Sequence, residues 1–309
     1  MVNLPSPQQL RYLVCLAQHL HFGRAAAAAY VTQSTLSAGI LALERQLDAT
    51  ILDRSAGKRV VFTPLGMDLV GRAKTALSAI EAVGETAEAQ RAPMAGRLRV
   101  GIIPTIGPFL LPRLMPVLRR KFPDLRLFLR EDTTAHCLSR LNSGQLDVLI
   151  LALPCACGST EVLPIARDEF LVALPPNSPL AALERVPLAM LAQEKLLLLE
   201  EGHCLRDQAQ AACGILGETT AEEFAATSLH TLVQMVAGGL GVTLLPRLAL
   251  EGGVLAGAEV AIRPLAGAGA CRTLGLVFRP NAPRADAYHT LGGVLSSLCE
   301  MPAWGSDAR

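Results

Sequence analysis

The sequence predicts an α/β protein in three parts: a small helical N-terminal domain, one long helix, and a larger domain of alternating strands and helices. Three observations carry that prediction. Apolar residues recur at three- and four-residue spacing in short runs up to Leu47. A further apolar stripe continues from Leu65 to Val83 without a break. From Leu98 onward, short runs of Leu, Ile and Val alternate with amphipathic stretches, the pattern of strand–helix–strand units.

The bulk numbers bound the rest. Of 309 residues, 51% are hydrophobic and 18% charged, which excludes general disorder. No apolar run approaches the ~18 residues needed to span a bilayer, and Met1-Val2-Asn3-Leu4-Pro5 lacks the basic and apolar regions of a signal peptide. The expectation is a cytoplasmic protein without membrane contact, its eight cysteines reduced at rest. A net charge of +1 says little about partners, because a local basic surface can coexist with neutrality.

Ser6-Pro7-Gln8-Gln9 opens the first helix with a capping serine, proline at the first helical position and glutamine completing a capping box. Leu10, Leu13, Val14 and Ala17 continue it. A short alanine-rich helix is predicted over Arg24–Tyr30. A third runs from Gln33 to about Leu47, with Thr32 as N-cap and Leu36, Ile40, Leu43 and Leu47 on its buried face. Its exposed start carries Gln33, Ser34, Thr35 and Ser37, small polar groups that hydrogen-bond base edges and phosphates. Two helices, a tight turn and a helix with a polar N-terminus form a helix-turn-helix, whose last helix enters the major groove. In Arg54-Ser55-Ala56-Gly57-Lys58-Arg59, the basic residues Arg54, Lys58 and Arg59 flank a turn between extended segments, like a wing whose tip contacts phosphates. Periodicity and charge alone fit other trihelical domains as well.

From Thr63-Pro64 a helix is predicted to about Gln90, with Leu65, Leu69, Ala73, Leu77, Ile80 and Val83 in one stripe. At 1.5 Å per residue it extends about 40 Å, more than a small domain covers. Pairing with the same helix of a second copy buries the stripe; packing on its own chain is the alternative. Ala92-Pro93-Met94-Ala95-Gly96 ends it as a hinge. The domains read as 1–63, 64–96 and 97–309, the last dividing into about 97–166 with 268–309, and about 167–267.

In the larger domain, strands are predicted at Leu98–Ile103, Leu125–Leu129, Leu146–Leu151, Phe170–Leu174, Lys195–Leu199, Gly241–Pro246 and Cys271–Phe278. Helices are predicted at Leu110–Lys121, Thr134–Leu141 and Leu229–Ala237, and the expected sheet is parallel. Thr105 and Thr133-Thr134 lie at strand-to-helix junctions, where each hydroxyl either caps a helix or lines a ligand site.

Gly202-His203-Cys204-Leu205-Arg206-Asp207 carries the densest chemistry, with Cys213 nine residues after Cys204. Cations such as His203 and Arg206 favour a thiolate. Leu205, Ala209, Ala212 and Leu216 make the segment helical, and on a helix nine residues span about 13.5 Å. A disulfide needs Cα atoms within about 7 Å, so a bridge there requires the helix to come apart. Two inert core cysteines are the competing reading. Cys155-Ala156-Cys157 looks like half a metal site with no second half. Cys15, Cys271 and Cys299 read as core, His136-Cys137 as an incidental helix pair, and no histidine shows metal-ligand spacing. No metal or cofactor is expected.

Beyond these patterns, Phe22-Gly23-Arg24-Ala25-Ala26, Val31-Thr32-Gln33-Ser34-Thr35-Leu36-Ser37, Ile40, Leu43-Glu44 and Leu47 resemble the DNA-binding signature of LysR-type transcriptional regulators. Leu52-Asp53-Arg54 and Phe62-Thr63-Pro64-Leu65-Gly66 resemble that family's wing and linker entry. Gly23 departs from the polar N-cap common in the family. The resemblance implies a winged helix-turn-helix, a dimerising linker helix and a two-subdomain, periplasmic-binding-protein-like α/β regulatory domain. It also implies double-stranded promoter DNA as partner, contact with RNA polymerase, and pairing of dimers into tetramers.

Four further stretches resemble the OxyR group, the hydrogen-peroxide-sensing members of the family. They are Gly101–Pro112, Leu199–Gln208, Ala226-Thr227-Ser228-Leu229 and Gly241–Pro246. That resemblance implies that peroxide oxidises Cys204 and that Cys213 resolves it to a disulfide. Thr105, Thr134, His203 and Asp207 would line the pocket or relay protons, and Arg206 would support the thiolate. Asp132, Thr133 and Ala135 differ from the group, so Thr133 is the alternative to Thr134. Three competing functions remain: a LysR-type regulator answering an organic effector with inert cysteines, a thiol peroxidase, and a solute-binding transport protein. The DNA-binding signature argues against the second and the missing export signal against the third, so the expectation is a regulator and not an enzyme.

Overall fold

The computed structural model describes residues 4–53, 59–89, 93–213, 226–266 and 270–300. A first compact unit is built mainly on Met1–Glu88. Helix α1 (Pro7–His19) begins with the capping box: Ser6 Oγ accepts from the Gln9 backbone, and Gln9 Oε1 accepts from the Ser6 backbone. Helix α2 (Phe22–Ala28) starts two residues earlier than predicted, because His21 Nδ1 accepts from Gly23 and Arg24 and supplies the cap that Gly23 does not. Helix α3 (Gln33–Leu47) is capped by Thr32, whose hydroxyl accepts from the Thr35 backbone. Helices α2 and α3 cross at 98°, within the range of a helix-turn-helix. Leu13, Leu16, Leu36, Ile40 and Leu43 are fully buried between the three helices, each contributing about 1.5–3 kcal/mol.

Buried Glu44 extends α3's influence beyond its end: Oε1 accepts from the Ile51 and Leu52 backbones. Leu52 then bridges Phe62 antiparallel, and Asp53 donates to Val61 O, forming the base of the wing. Arg54 and Lys58 lie outside the described residues; Arg59 is exposed. Helix α4 (Pro64–Ala89) follows. Gly66 in its first turn is forced by contact, since a Cβ there would sit 2.2 Å from Ile51 O. The α4 stripe divides: Val70 and Ala73 are buried in this unit, whereas Leu65, Ile80 and Val83 are 50%, 48% and 74% exposed.

The second unit contains β1 (Gly96–Ile102), α5 (Gly107–Lys121), β2 (Leu125–Glu131), α6 (Thr134–Asn142), β3 (Val148–Leu153) and β4 (Glu161–Leu174). After these come α7 (Leu188–Leu191), α8 (Cys204–Cys213), α9 (Leu229–Ala237), β5 (Thr243–Pro246), α10 (Arg247–Glu251), β6 (Ala261–Pro264), β7 (Cys271–Phe278) and α11 (Ala285–Glu300). Strand order is β2-β1-β3-β7-β4-β5, with β6 also on β4.

The sheet is mixed, which corrects the parallel expectation. Strands β1, β2 and β3 are parallel, but β7 runs antiparallel to both β3 and β4. The cause is β4, far longer than predicted. Its first half pairs β7 and its second half pairs β5 and β6, so one strand joins both groups of strands and β7 returns against it. Leu196–Leu199 is buried as expected, yet forms no regular strand: Leu196 bridges Val242 and Leu199 bridges Ala226.

Candidate functional site

Three elements converge on Cys204. After the buried Leu196–Leu199 run the chain turns at Gly202, whose φ of +91° suits glycine. Buried His203 follows, and Cys204 is the first residue of α8. Ile103, Pro104 and Thr105 come from the end of β1, and Thr133 and Thr134 from the junction of β2 and α6. Together with Gly202, His203 and Cys204 they line a cleft too tight in this structure to hold a water molecule. Larger hollows elsewhere, such as one of about 1090 Å³ beside α3 at Glu44 and Asp53, hold no thiol.

A buried charge network stands behind this cavity. Arg272 on β7 is fully buried; its Nη1 donates to Thr105 Oγ1 (2.9 Å) and its Nη2 to Thr105 O (3.0 Å). Its Nε pairs with Asp168 Oδ2 on β4 (2.9 Å), and the other Asp168 oxygen accepts from the Leu248 backbone. Because Thr105 Oγ1 already accepts from Arg272, its own proton is free to point into the cavity. The Thr134 hydroxyl is buried with no hydrogen-bond partner among the described residues.

Burial raises the Cys204 pKa above the ordinary thiol value; the nearby Thr134 hydroxyl and the Arg272 charge pull it back, and Asp207 adds to the rise. Cys137 shows the contrast. Buried on α6 with Asp132 as its adverse charge, it is pushed up to about 11. Burial is common to both thiols; a neighbouring threonine hydroxyl and the Arg272 charge are not.

The predicted residues divide accordingly. Thr105, Thr134, His203 and Cys204 line the cavity together, and so does Thr133, whose methyl group faces Gly202. His203 lies 3.9 Å from Glu200. Asp207 is exposed and reaches Cys204 only through its charge. Arg206 points elsewhere: its Nη1 donates to Leu199 O (3.2 Å), because α8 carries that side chain back over the preceding turn. The cation acting on Cys204 is Arg272, which sequence reading missed together with Asp168. Arg272 inside the apolar run Cys271–Phe278 was the available signal for the cation, whereas Asp168 sits in the charged run Arg167-Asp168-Glu169 and gave none. Cys213 ends α8, and its side chain lies outside the described residues. The amide of Gln208, one turn after Cys204, is buried with neither atom partnered among the described residues.

The Cys155 and Cys157 sulfurs lie against one another, within bonding reach, while Cys15, Cys137, Cys204, Cys271 and Cys299 are free. Cys271 is exposed instead of core, because it begins β7 at an open end where Arg167 Nη2 donates to its sulfur (3.1 Å).

On the first unit, Thr32, Gln33, Ser34, Thr35 and Ser37 are all exposed at the start of α3. The Thr32 hydroxyl also contacts those of Ser34 (2.9 Å) and Thr35 (2.7 Å), which fixes the polar tip of the helix.

Comparison with known proteins decides the family. Residues 7–67 match the bacterial regulatory helix-turn-helix of the lysR family, and residues 91–299 match the LysR substrate binding domain. The chain belongs to the LysR family, in its OxyR group. A LysR-family relative from Escherichia coli K12, the DNA-binding transcriptional dual regulator OxyR, is 43% identical over 92% of both chains. The hydrogen peroxide-inducible genes activator of Haemophilus influenzae is 38% identical over 94% of this chain and 95% of its own. Among solved LysR-family structures, a full-length OxyR variant from Pseudomonas aeruginosa superposes with a TM-score of 0.76 at 36% identity, covering 94% of each chain. A hydrogen-peroxide-bound OxyR mutant from Corynebacterium glutamicum gives 0.67 at 32% identity over 97% and 94%.

Proposed function

We propose that this LysR-family regulator senses hydrogen peroxide through Cys204 and reports it to promoter DNA by forming a Cys204–Cys213 disulfide. The observation that carries the reading is the lining of this cleft: a sulfur, an unpartnered Thr134 hydroxyl and an Arg272-backed Thr105. Pockets for organic ligands start at about 300 Å³, whereas this cleft is closed even to water in the present arrangement, so a very small ligand needs the least movement of the lining and an organic effector the most.

The chemistry follows from these groups. The Cys204 thiolate attacks one peroxide oxygen and the O–O bond breaks, giving Cys204–SOH and hydroxide, which takes a proton to leave as water. Thr105 and Thr134 donate to the oxygens on which charge develops. The Cys213 thiol then attacks the sulfenic sulfur and expels a second water. Helix α8 runs unbroken from Cys204 to Cys213, a rise of about 13.5 Å, so the bridge requires it to unwind and repack. One such event per bridge makes the protein a regulator and not a peroxide-consuming enzyme.

The output side rests on α3 and α4. Exposed Leu65, Ile80 and Val83 support pairing of α4 with the same helix of a second copy, which sets two α3 helices on one duplex. Gln33, Ser34, Thr35 and Ser37 read the groove, and Arg54, Lys58 and Arg59 hold phosphates. Pairing of dimers into tetramers, recruitment of RNA polymerase and a cytoplasmic location accompany this reading.

The test treats the reduced protein with near-stoichiometric peroxide, maps disulfides by mass spectrometry, and compares promoter footprints with Cys204→Ser. The expected result is a Cys204–Cys213 bridge and a footprint that shifts only when Cys204 is present. An unchanged footprint, or a bridge that excludes Cys204, sinks the proposal. Cys213→Ser should stop at the sulfenic acid.

A further inference from the structure

The connection between β3 and β4 carries a second pair of sulfurs that the peroxide chemistry does not use. The sulfurs of Cys155 and Cys157 lie against one another, with Cα atoms 5.2 Å apart, inside the range a disulfide accepts. Their backbone is already closed, since Cys157 N–H donates to Cys155 O at 2.8 Å and Thr160 Oγ1 donates to Cys157 O at 2.9 Å. The bridge therefore needs little backbone movement to form or open. Pro154, Ala156, Gly158 and Ser159 around it are exposed, and both cysteines are half-buried. The half metal site read from the sequence has another use.

We infer that Cys155 and Cys157 are a second thiol–disulfide couple, one that exchanges with bulky low-molecular-weight thiols such as glutathione. Access separates it from Cys204. A tripeptide disulfide does not enter a cleft that is closed even to water, but it reaches a loop with exposed neighbours on both sides. In the closing direction, one cysteine thiolate attacks the oxidised glutathione disulfide, releasing one glutathione thiolate and leaving a mixed disulfide. The second cysteine thiolate then attacks the protein sulfur of that mixed disulfide and releases the other glutathione. Two cysteine thiols are oxidised, one glutathione disulfide is reduced to two thiols, and the two cysteine protons end on them. Opening is the reverse. The chain thus carries two couples sorted by reagent size, an enclosed one for a molecule of a few atoms and an exposed one for the thiol pool.

The experiment uses the full-length chain carrying Cys204→Ser, so that its outcome does not depend on peroxide sensing. The protein is equilibrated in glutathione buffers of graded reduced-to-oxidised ratio, alkylated under quench, and digested with trypsin. Residues 141–167 form one peptide whose only cysteines are Cys155 and Cys157. The expected result is a bridged, unalkylated peptide whose ratio to the doubly alkylated form changes about tenfold for each tenfold change in the glutathione quotient. Cys155→Ser should abolish the bridged form and leave Cys157 singly alkylated or glutathionylated. Double alkylation at every ratio, a stable mixed disulfide in place of the bridge, or a bridge that stays closed in excess reduced glutathione each overturns the inference.

Discussion

Helix α3 and helix α8 are both amphipathic and both carry proposed site residues at their first turn, yet they are built oppositely. Thr32 caps α3 through its own hydroxyl, and Glu44 near its end ties down the chain that follows. By contrast α8 opens directly on Cys204, turns Arg206 onto a carbonyl of the preceding segment, and buries the Gln208 amide without a partner among the described residues. The helix proposed to present one surface to DNA has its polar groups closed locally. The one proposed to come apart leaves the Gln208 amide unmatched among the described residues, which would lower the cost of unwinding.

The strongest way to break this comparison is to remove the fixed frame behind α8. Arg272→Met leaves Asp168 buried and unpaired and should destabilise the second unit by about 3–5 kcal/mol, measured by denaturant unfolding. Arg272→Met with Asp168→Asn should recover much of that loss, because replacing both members of a buried pair is often close to neutral. A double variant no more stable than the single one would show that Arg272 matters through Thr105 alone. Next in size, Gln208→Leu should stabilise the reduced protein by about 1–3 kcal/mol, the cost of an unsatisfied buried polar group. A loss of stability would mean that the amide is satisfied after all.

How readable each helix was follows from the same difference. Thr32, the Ser6–Gln9 box and the α3 stripe are local, and neighbours in sequence state them in full. Arg272 and Asp168 lie 104 residues apart and meet only because β4 and β7 pair. The length of β4 was hidden by Pro164 at a bulge in its pairing with β7. The leucine run before Gly202 was legible as buried, but not as two single bridges to different partners. Around Cys204, motif resemblance found the lining residues, while the direction of Arg206 and the cation that replaces it needed three-dimensional contacts.

Smaller effects sharpen the contrast. Burial holds the Cys204 pKa above the ordinary thiol value, so the reactive thiolate is a minor species at neutral pH. Its oxidation rate by peroxide should rise about tenfold per pH unit from about pH 6 to 8 without a plateau. Stopped-flow measurement of peroxide consumption on Cys213→Ser checks this; a plateau near pH 6 would mean that Thr134 and Arg272 outweigh burial. Thr32→Ala should cost about 1 kcal/mol in the first unit through the lost cap, and calorimetry should find the thermal transition lowered by a few degrees, with peroxide reactivity unchanged.

The size of the cavity also decides what the proposed sensor ignores. The cleft beside Cys204 is closed to anything as large as water in this structure, so a bulky metabolite would have to displace its walls to compete there. Because the signal is recorded as a covalent bond, occupancy is not what is read. The set point becomes a ratio of two rates, oxidation against re-reduction, and the switched fraction integrates exposure over time instead of tracking an instantaneous concentration.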